Sequence, residues 1–399
     1  MQTTHDVVII GAGPAGCTAG AELARRGFDA ALVEEHAVIG EPIDCTGVLG
    51  SEAFQRFDLP REIVVGEIRA VTLHSPGGVP ITHEDERPFA YAVDRAALDR
   101  RLARRATEAG ATLYLSTRAA RVERHPAGVT VECLHSSGEP VRLAAKLLIL
   151  AGGPQFRFQE ELGLGVAPVL WQSAHAELPG NGLAHPQVYL GHDVAPGAFA
   201  WAVPVQRAGQ PRLRVGVNSR TEAPHYLRRL CGERFSHLMS DGESFSPRSW
   251  VVPIVPLAHS FGERVLAVGD AAGQVKATSG GGIYFGMLSA RMAAETAGDA
   301  LQNRAFGPEV LARYETRWRG FLGLDLRLGS LLRRLFSRMA DRDVDELFRG
   351  LQQEIRMGHL AGRVSFDWHQ GLILFLLRHP SLIRLLLRNC WDRPALAAE

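Results

Sequence analysis

Residues 5–35 confine this chain to a narrow set of folds. His5 to Ile10 (HDVVII) is an apolar, β-branched run of strand length, and Gly11-Ala12-Gly13-Pro14-Ala15-Gly16 follows at once. Cys17 to Arg26 reads as a helix stopped by Gly27, and Phe28 to Val33 as a second short strand ending in Glu34-Glu35. Strand, glycine turn, helix, strand and an acid about 20 residues beyond the glycines is the layout of a dinucleotide-binding βαβ unit. Gly11 permits the tight turn, and Gly13 lets the backbone approach a pyrophosphate with no Cβ in the way. Gly16 lets helix and strand pack closely, while the free N–H groups of the helix start attract phosphate charge. Glu34 is placed to accept hydrogen bonds from ribose hydroxyls.

At 399 residues the chain exceeds the ~250–300 that one core usually serves, so more than one domain is expected. A formal net charge of +1 gives no overall field favouring nucleic acid. The five cysteines (Cys17, Cys45, Cys133, Cys231, Cys390) are scattered and none has metal-ligand spacing, so no metal is expected and a reducing cytoplasm fits best. The first strand begins within a few residues of the N-terminus, leaving no room for a signal peptide. No apolar run approaches the ~18–20 residues of a membrane span.

Further along, Val38 to Gly50 is glycine-punctuated and too irregular for a helix. Ile63 to Leu73 and Val79 to His83 read as strands around Ser75-Pro76-Gly77-Gly78, and Ala96 to Ala109 as a helix stopped by Gly110. Short strands follow at Thr112–Leu115, Ala119–Arg124, Val129–Leu134 and Val141–Leu143. Leu147 to Leu150 reads as a buried strand returning beside the first. From about Pro168 to Pro256 the pattern changes to irregular strands rich in Pro, His and Trp. Arg264 to Val268 restores the strand-then-glycine character, Ile283 to Leu301 is a long helix, and Glu309 to Glu399 is helical. The expected architecture is α/β: a Rossmann-like nucleotide domain in two parts (1–167, with a small β meander, and 259–305), an inserted antiparallel-sheet substrate domain (168–258) and a C-terminal helical region (306–399).

Arg264–Ile283 (RVLAVGDAAGQVKATSGGGI) is the second strong signal. A strand ending in Gly-Asp puts the Asp270 carboxylate at the carboxyl edge of the sheet, where ligands bind in such folds. There it can accept from ribityl hydroxyls. Gly280-Gly281-Gly282 lets backbone N–H groups and a helix start approach a flat ring, whose reduced form carries negative charge that a helix N-terminus stabilises. Two nucleotide-contacting motifs over two hundred residues apart favour FAD over NAD.

These motifs resemble those of the geranylgeranyl reductase family, FAD enzymes on the scaffold shared with aromatic hydroxylases. GAGPAG with Glu34 is the first point of likeness. Ile39-Gly40-Glu41-Pro42-Ile43-Asp44-Cys45-Thr46-Gly47, similar to the family's IGxPxxCxG loop, is the second, and GDAAGQV…GGGI the third. Ring hydroxylases of this fold usually carry GDAAH; here Gly273 replaces that histidine, as in the reductases. Pro196 to Pro204 (PGAFAWAVP) resembles the family's PGxYxWxFP, with Phe199 for the usual tyrosine and Val203 for the usual phenylalanine. The resemblance implies FAD contacts at Ala15, Glu34, Cys45, Thr46, Gly47, Val48, Arg95, Ala119, Asp270, Gly282 and Ile283, and the two glycine turns themselves add Gly11, Gly13, Pro14, Gly16 and Gly281.

Cys45 admits two readings, a proton donor beside the flavin or a small residue packing against it. Phe199 and Trp201 alternate with alanines and share one strand face, which either lines an apolar substrate tunnel or packs in a core. The stretch Gly371–Arg388, leucine-rich and broken by Arg378, Pro380, Arg384 and Arg388, reads either as a basic hairpin lying on the inner face of the cell membrane or as helices packed on the body. The function implied is reduction of isolated double bonds in a polyprenyl substrate, with NADPH or ferredoxin as external electron donor. The alternatives are a flavin monooxygenase or halogenase, since Phe199 to Pro204 also resembles the halogenases' WxWxIP, and a flavin electron-transfer protein. The halogenase reading needs a lysine ahead of that stretch, where Lys146, on a strand expected to be buried, is alone.

Overall fold

The computed structural model describes residues 2–43, 45–180, 182–239, 247–356, 365–378 and 383. In chain order its strands begin with β1 (Gln2–Ile10), β2 (Ala30–Val33), β3 (Val48–Gly50), β4 (Val64–Ile68), β5 (Ala70–His74), β6 (Pro80–Glu84), β7 (Ala90–Val93), β8 (Thr112–Tyr114) and β9 (Thr117–His125). They continue with β10 (Gly128–His135), β11 (Pro140–Leu150), β12 (Leu170–Pro179), β13 (Gln187–Tyr189), β14 (Phe199–Arg207), β15 (Gln210–Ser219), β16 (Arg248–Pro253), β17 (Phe261–Gly262) and β18 (Val265–Ala267). The helices are α1 (Pro14–Arg25), α2 (Ser51–Phe57), α3 (Arg95–Glu108), α4 (Arg157–Glu161), α5 (Ala223–Arg234), α6 (Ile283–Asn303), α7 (Pro308–Phe336), α8 (Asp341–Arg356) and α9 (Gln370–Arg378). Two compact units arise, each from three separate segments.

The first unit comprises residues 1–43, 94–170 and 252–326. Its eight-stranded sheet has the path β17-β18-β11-β1-β2-β8, with β10 and β9 leading off β11. The centre is parallel: β1 pairs with both β2 and β11, β11 with β18, and β2 with β8. Val7 to Ile10 are all buried, as befits a parallel strand covered on both faces. Each such fully buried aliphatic side chain contributes about 1.5–3 kcal/mol. This is the Rossmann-like core that the first glycine turn implied.

β11 corrects one expectation. The sequence suggests two short strands, at 141–143 and 147–150, whereas a single strand of 11 residues runs through both. Its first half pairs antiparallel with β10 and alternates between exposed and buried residues. Its last four residues lie between β1 and β18 and are continuously buried. The hydrophobic period thus changes within one strand, and Lys146 stands on the exposed face before the change. Its side chain is 54% exposed and ion-paired to Asp6 at 2.7 Å, not buried as expected.

The second unit comprises 44–93, 171–251 and 327–399. Its larger sheet runs β16-β12-β15-β14-β13-β5-β6, and its small sheet β3-β7-β4 is antiparallel. Within the larger sheet β13 lies parallel to β5, which comes from more than a hundred residues earlier. α5 is a further correction, a 12-residue helix in a stretch read as strands. Pro224 sits in its first turn, where the missing N–H costs nothing. Ala223, Leu227, Leu230 and Cys231 follow helical spacing and are buried against the sheet. In the C-terminal region α8 and α9 share a core of Val344, Leu347, Phe348, Leu351 and Leu376.

Candidate functional site

The first glycine turn leads from β1 into α1. Gly11 has φ +100°, and a Cβ there would come within 2.5 Å of the Ala151 carbonyl oxygen. A Cβ on Gly16 would overlap the Gly11 carbonyl oxygen, so helix and turn can touch only as glycines. Gly13 is different: a Cβ would meet nothing within 4 Å, so its open side gives access to the backbone. Gly13 also caps α1 without any side-chain hydrogen bond, and Pro14 occupies the first turn. The helix start therefore presents its N–H groups without side-chain competition.

The second glycine turn comes to the same place. Gly269 has φ +64°, and a Cβ built on it would lie 3.1 Å from the Ala15 side chain and 3.6 Å from Gly286 Cα. Ala15, Gly269 and Gly286 thus meet where α1 and α6 begin, joining motifs 250 residues apart. α6 begins at Gly282, again without a side-chain cap, and Ile283 is its first residue. A Cβ on Gly282 would approach Asp270 Oδ1 to 2.5 Å, and one on Gly281 the Lys276 side chain to 2.9 Å.

Asp270 keeps part of its surface accessible yet lies deep in the protein. Burial pushes its carboxyl up to about 6, against which the Arg95 charge acts in the opposite sense. No hydrogen bond from the described residues supports the carboxylate. The turn itself is held from behind: Gln274 Oε1 accepts from Gly269 N–H at 2.7 Å, and Gln274 Nε2 donates to Tyr314 Oη at 2.8 Å. Tyr314 Oη in turn donates to the Ala267 carbonyl at 2.8 Å. Gln274 and Tyr314 support the turn, and the sequence reading did not single them out. Their spacing carries no motif beyond the Gln that follows GDAAG.

Glu34 lies at the end of β2. Its Oε2 accepts from Ala12 N–H at 3.0 Å, which ties it to the first glycine turn. Its Oε1 accepts from His36 N–H at 3.0 Å and faces His36 Nδ1 at 2.6 Å. The Glu34 carbonyl accepts from Thr117 N–H at 2.8 Å, bringing the β9 strand of Ala119 beside it. Arg95, the first residue of α3, forms a bidentate pair with Asp99, Nη2 to Oδ2 at 2.7 Å and Nε to Oδ1 at 3.2 Å. Gly40, in the first half of the Ile39–Gly47 loop, has φ +82° and packs against Ala96.

Cys45, Thr46, Gly47 and Val48 lie in the second unit and are described apart from the residues above. Cys45 is a half-buried free thiol whose Sγ accepts from Gly47 N–H at 3.3 Å. Gly47, at φ +71°, accepts from Val93 N–H at 2.7 Å. Arg214 on β15 anchors this loop. Its Nη1 donates to the Thr46 carbonyl at 2.7 Å and to the Val93 carbonyl at 2.8 Å, and its Nε donates to Glu177 at 3.2 Å. Sequence reading missed Arg214, which looks like any alternating strand residue.

Phe199 and Trp201 stand on one face of β14 with ring centroids 5.7 Å apart, packed with Val203, Val205, Val48 and Val65. Gly216 on β15 lies directly opposite Trp201, and a Cβ there would overlap the indole. Of the C-terminal stretch 371–388, only residues 371–378 and 383 are described; Arg384 and Arg388 lie outside the described residues, as does Cys390. In α9, Ile373 and Leu376 are buried. Among the described residues no group of three His, Cys, Asp or Glu is arranged to hold a metal, and no helix is long and apolar enough to cross a membrane.

The lycopene cyclase protein family model matches residues 6–179. The chain is 29% identical over 397 residues to digeranylgeranylglycerophospholipid reductase 2 of Methanothermobacter thermautotrophicus, covering 96% of this chain and 98% of that one. A geranylgeranyl bacteriochlorophyll reductase-like protein from Thermoplasma acidophilum has the same fold, with TM-score 0.83 at 20% identity over 98% of this chain and 100% of that one. A flavin-dependent brominase shares the fold at TM-score 0.68 and 17% identity, over 94% of this chain and 98% of that one. Paired glycine turns under two helix starts, on a sheet with a parallel centre, belong to the fold that these solved structures share. Within that scaffold the match to the reductases runs nearly end to end. The chain is thus similar over nearly its whole length to proteins named as geranylgeranyl reductases.

Proposed function

We propose that this chain is an FAD-dependent reductase that saturates isolated C=C bonds of a polyprenyl lipid, quinone or diphosphate. The observation that carries the cofactor is the Asp270 carboxylate, without a hydrogen-bond partner among the described residues, beside the glycine start of α6 where the first glycine turn also arrives. These residues fit FAD: an open backbone at Gly13 for a pyrophosphate, a buried acceptor at Asp270 for a ribityl hydroxyl, and a helix start for a ring carrying negative charge. Glu34 retains acceptor capacity for a ribose hydroxyl while bonded to Ala12 and His36. The substrate class comes from the relatives, whose names record reduction of digeranylgeranylglycerophospholipid.

An isolated alkene has no carbonyl to polarise, so reduction needs a hydride at one carbon, a proton at the other, and both partners held in place. Bound FAD supplies the hydride after reduction by an external donor, NADPH or ferredoxin. Cys45 Sγ is the proton donor in this reading, on a loop fixed by Arg214 and Val93. Phe199 and Trp201 line the path of the apolar chain. Such a substrate partitions into bilayers, and contact with a membrane surface through the 371–388 stretch belongs to the same proposal.

The halogenase alternative is weakened by Lys146, which points to solvent and is paired with Asp6. The deciding experiment is anaerobic incubation of chemically reduced protein with a geranylgeranylated glycerophospholipid and a prenylated quinone, followed by mass spectrometry. Product masses should rise by about two daltons per bond reduced, with no oxygen required. Oxygen-dependent turnover with a gain of an oxygen atom would replace this reading with the monooxygenase one.

A further inference from the structure

Of the 44 lysines and arginines in this chain only Lys146 and Lys276 are lysines. Lys146 is a solvent-facing partner of Asp6. Lys276 is only 4% exposed, and it lies between Asp270 and the glycine start of α6, within the first compact unit. A lysine is seldom buried to that degree. In a chain that otherwise uses arginine, it marks a place suited to a compact point charge on a flexible stem rather than to a planar fork.

The loop from 276 to 281 closes on itself. Lys276 N–H donates to the Gly281 carbonyl at 3.3 Å, and the Lys276 carbonyl accepts from Gly280 N–H at 2.8 Å and from Ser279 N–H at 3.3 Å. The backbone of Lys276 is thereby tied to the glycines that open α6. Its side chain runs back along them. A Cβ built on Gly281 would lie 2.9 Å from Lys276 Cε and 3.6 Å from Nζ, so a glycine at 281 leaves the room that the stem occupies. Nζ stands over the Phe285 ring, 5.4 Å from its centroid, and Phe285 belongs to the first turn of α6. The ammonium is therefore held at the amino end of the helix.

That end is an unfavourable place for a cation. The start of a helix carries about half a positive charge, and basic side chains are favoured at its other end. The first turn of α6 contains no acidic residue, and the charge acting on Asp270 is that of Arg95. A buried cation beside a helix start becomes favourable when a negative group joins both. FAD offers two such groups. Its pyrophosphate is charged at all times, and the first glycine turn already presents the α1 start and the open backbone of Gly13 to it. The N1–O2 edge of its ring becomes negative only on reduction, when two electrons and one proton enter and one net negative charge remains.

We infer that Lys276 sets its ammonium against the N1–O2 edge of the flavin and stabilises the charge gained on reduction by the external donor. The inference rests on the FAD reading above and assigns within it a residue that tunes the flavin's potential. Lys276 keeps its own proton throughout, and its charge adds to that of the α6 start. Its loss should therefore weaken the hold on reduced FAD far more than the hold on oxidised FAD. A residue that only packed against Phe285 would not separate the two states.

The test is the two-electron midpoint potential of the FAD-loaded protein at pH 7, measured by dye equilibration, with the affinity for oxidised FAD measured alongside. Lys276→Met keeps an unbranched stem without the charge, and Lys276→Arg keeps the charge. Lys276→Met should bind oxidised FAD within about threefold of the parent and reduced FAD about tenfold or more weakly, since a nearby opposite charge shifts an ionisation by about 1–3 units. Tenfold in a two-electron equilibrium is a fall of about 30 mV in potential. Lys276→Arg should recover at least half of that fall. Lys276→Gln is the second neutral variant and carries the test if Lys276→Met fails to fold. An unchanged potential in the neutral variant would overturn the inference and leave Lys276 as packing for Phe285. An equal loss of affinity for oxidised and reduced FAD would overturn it too, and would give the lysine to the pyrophosphate. A parent protein that takes up no FAD would overturn the FAD reading itself.

Discussion

At the scale of single residues, Asp270 and Cys45 show how environment assigns chemistry to ordinary side chains. The Asp270 carboxyl titrates at about 6 in the folded chain against 3.8 for an unperturbed aspartate, chiefly because burial disfavours its charge. Below about pH 4 both folded and unfolded chains hold the proton, so the group has no effect on stability. Between about pH 4 and 6 the unfolded chain releases its proton first, which penalises folding, and above about pH 6 the penalty is complete. Asp270→Asn should therefore raise the melting temperature of nucleotide-free protein at pH 7, with the gain vanishing below pH 4. It should also weaken FAD retention. Calorimetry across that range checks the first point, and no gain at pH 7 would mean that the carboxylate has a compensating partner. Cys45 stands apart from the other described cysteines. Cys17, Cys133 and Cys231 are buried, and burial pushes their thiols up, the last two to about 12. Cys45 alone of these four is partly accessible. If its thiol donates the proton, Cys45→Ser should hold FAD and accept electrons from dithionite, while single-turnover reoxidation by a prenyl substrate slows ~10²–10⁴-fold. A rate within about threefold of the parent would move proton donation elsewhere.

Single elements make clear what the sequence could and could not reveal. The β1–turn–α1–β2 unit was legible because its glycines, its apolar runs and the acid at residue 34 all obey one local geometry. The α6 start was legible for the same reason. Arg214 was not, since its partners are the carbonyls of Thr46 and Val93, and no side-chain pattern records a carbonyl. Likewise, nothing local in Pro140–Leu150 shows that its partner strands change halfway along. Helix α5 was legible in principle, through Ala223, Leu227, Leu230 and Cys231, but its Pro-His-Tyr opening resembles the surrounding loops. Arg214 also yields a prediction at this scale. Arg214→Met keeps most of the side chain's bulk but removes every donor, leaving Glu177 and two carbonyls without their partner. Breaking such a buried pair costs about 3–5 kcal/mol. Urea unfolding should show that loss, and Arg214→Lys should recover only part of it, because an ammonium cannot serve three acceptors in the guanidinium's fixed geometry. A loss below about 1 kcal/mol would make the contact an incidental one.

Over the whole molecule, the order of residues in the chain and their order in space diverge. Each compact unit draws on three segments, so neither is encoded by a continuous stretch. The sheet of the second unit takes strands from 44–93 as well as from 171–251, and pairing between β13 and β5 carries no sequence signal. Parallel neighbours from distant segments share no turn and no register cue. That topology has a consequence for fragments. Residues 171–251 alone would lack β5 and β6, exposing the β13 edge that now pairs at Gln187, Val188 and Tyr189. They would also lack Ala92, Val48 and Val65, which cover Trp201, Val203 and Val205. An open edge beside an uncovered aromatic and aliphatic face is a template for aggregation rather than a folded domain. Expressed by itself, the 171–251 fragment should therefore be insoluble, or soluble without near-ultraviolet circular dichroism from its tryptophans. Joining 44–93 to it through a flexible linker restores both missing partners and should recover a cooperative unfolding transition. A monomeric 171–251 fragment that unfolds cooperatively by itself would show that the edge and the uncovered face are tolerated, and that the early strands are additions to an independently stable sheet.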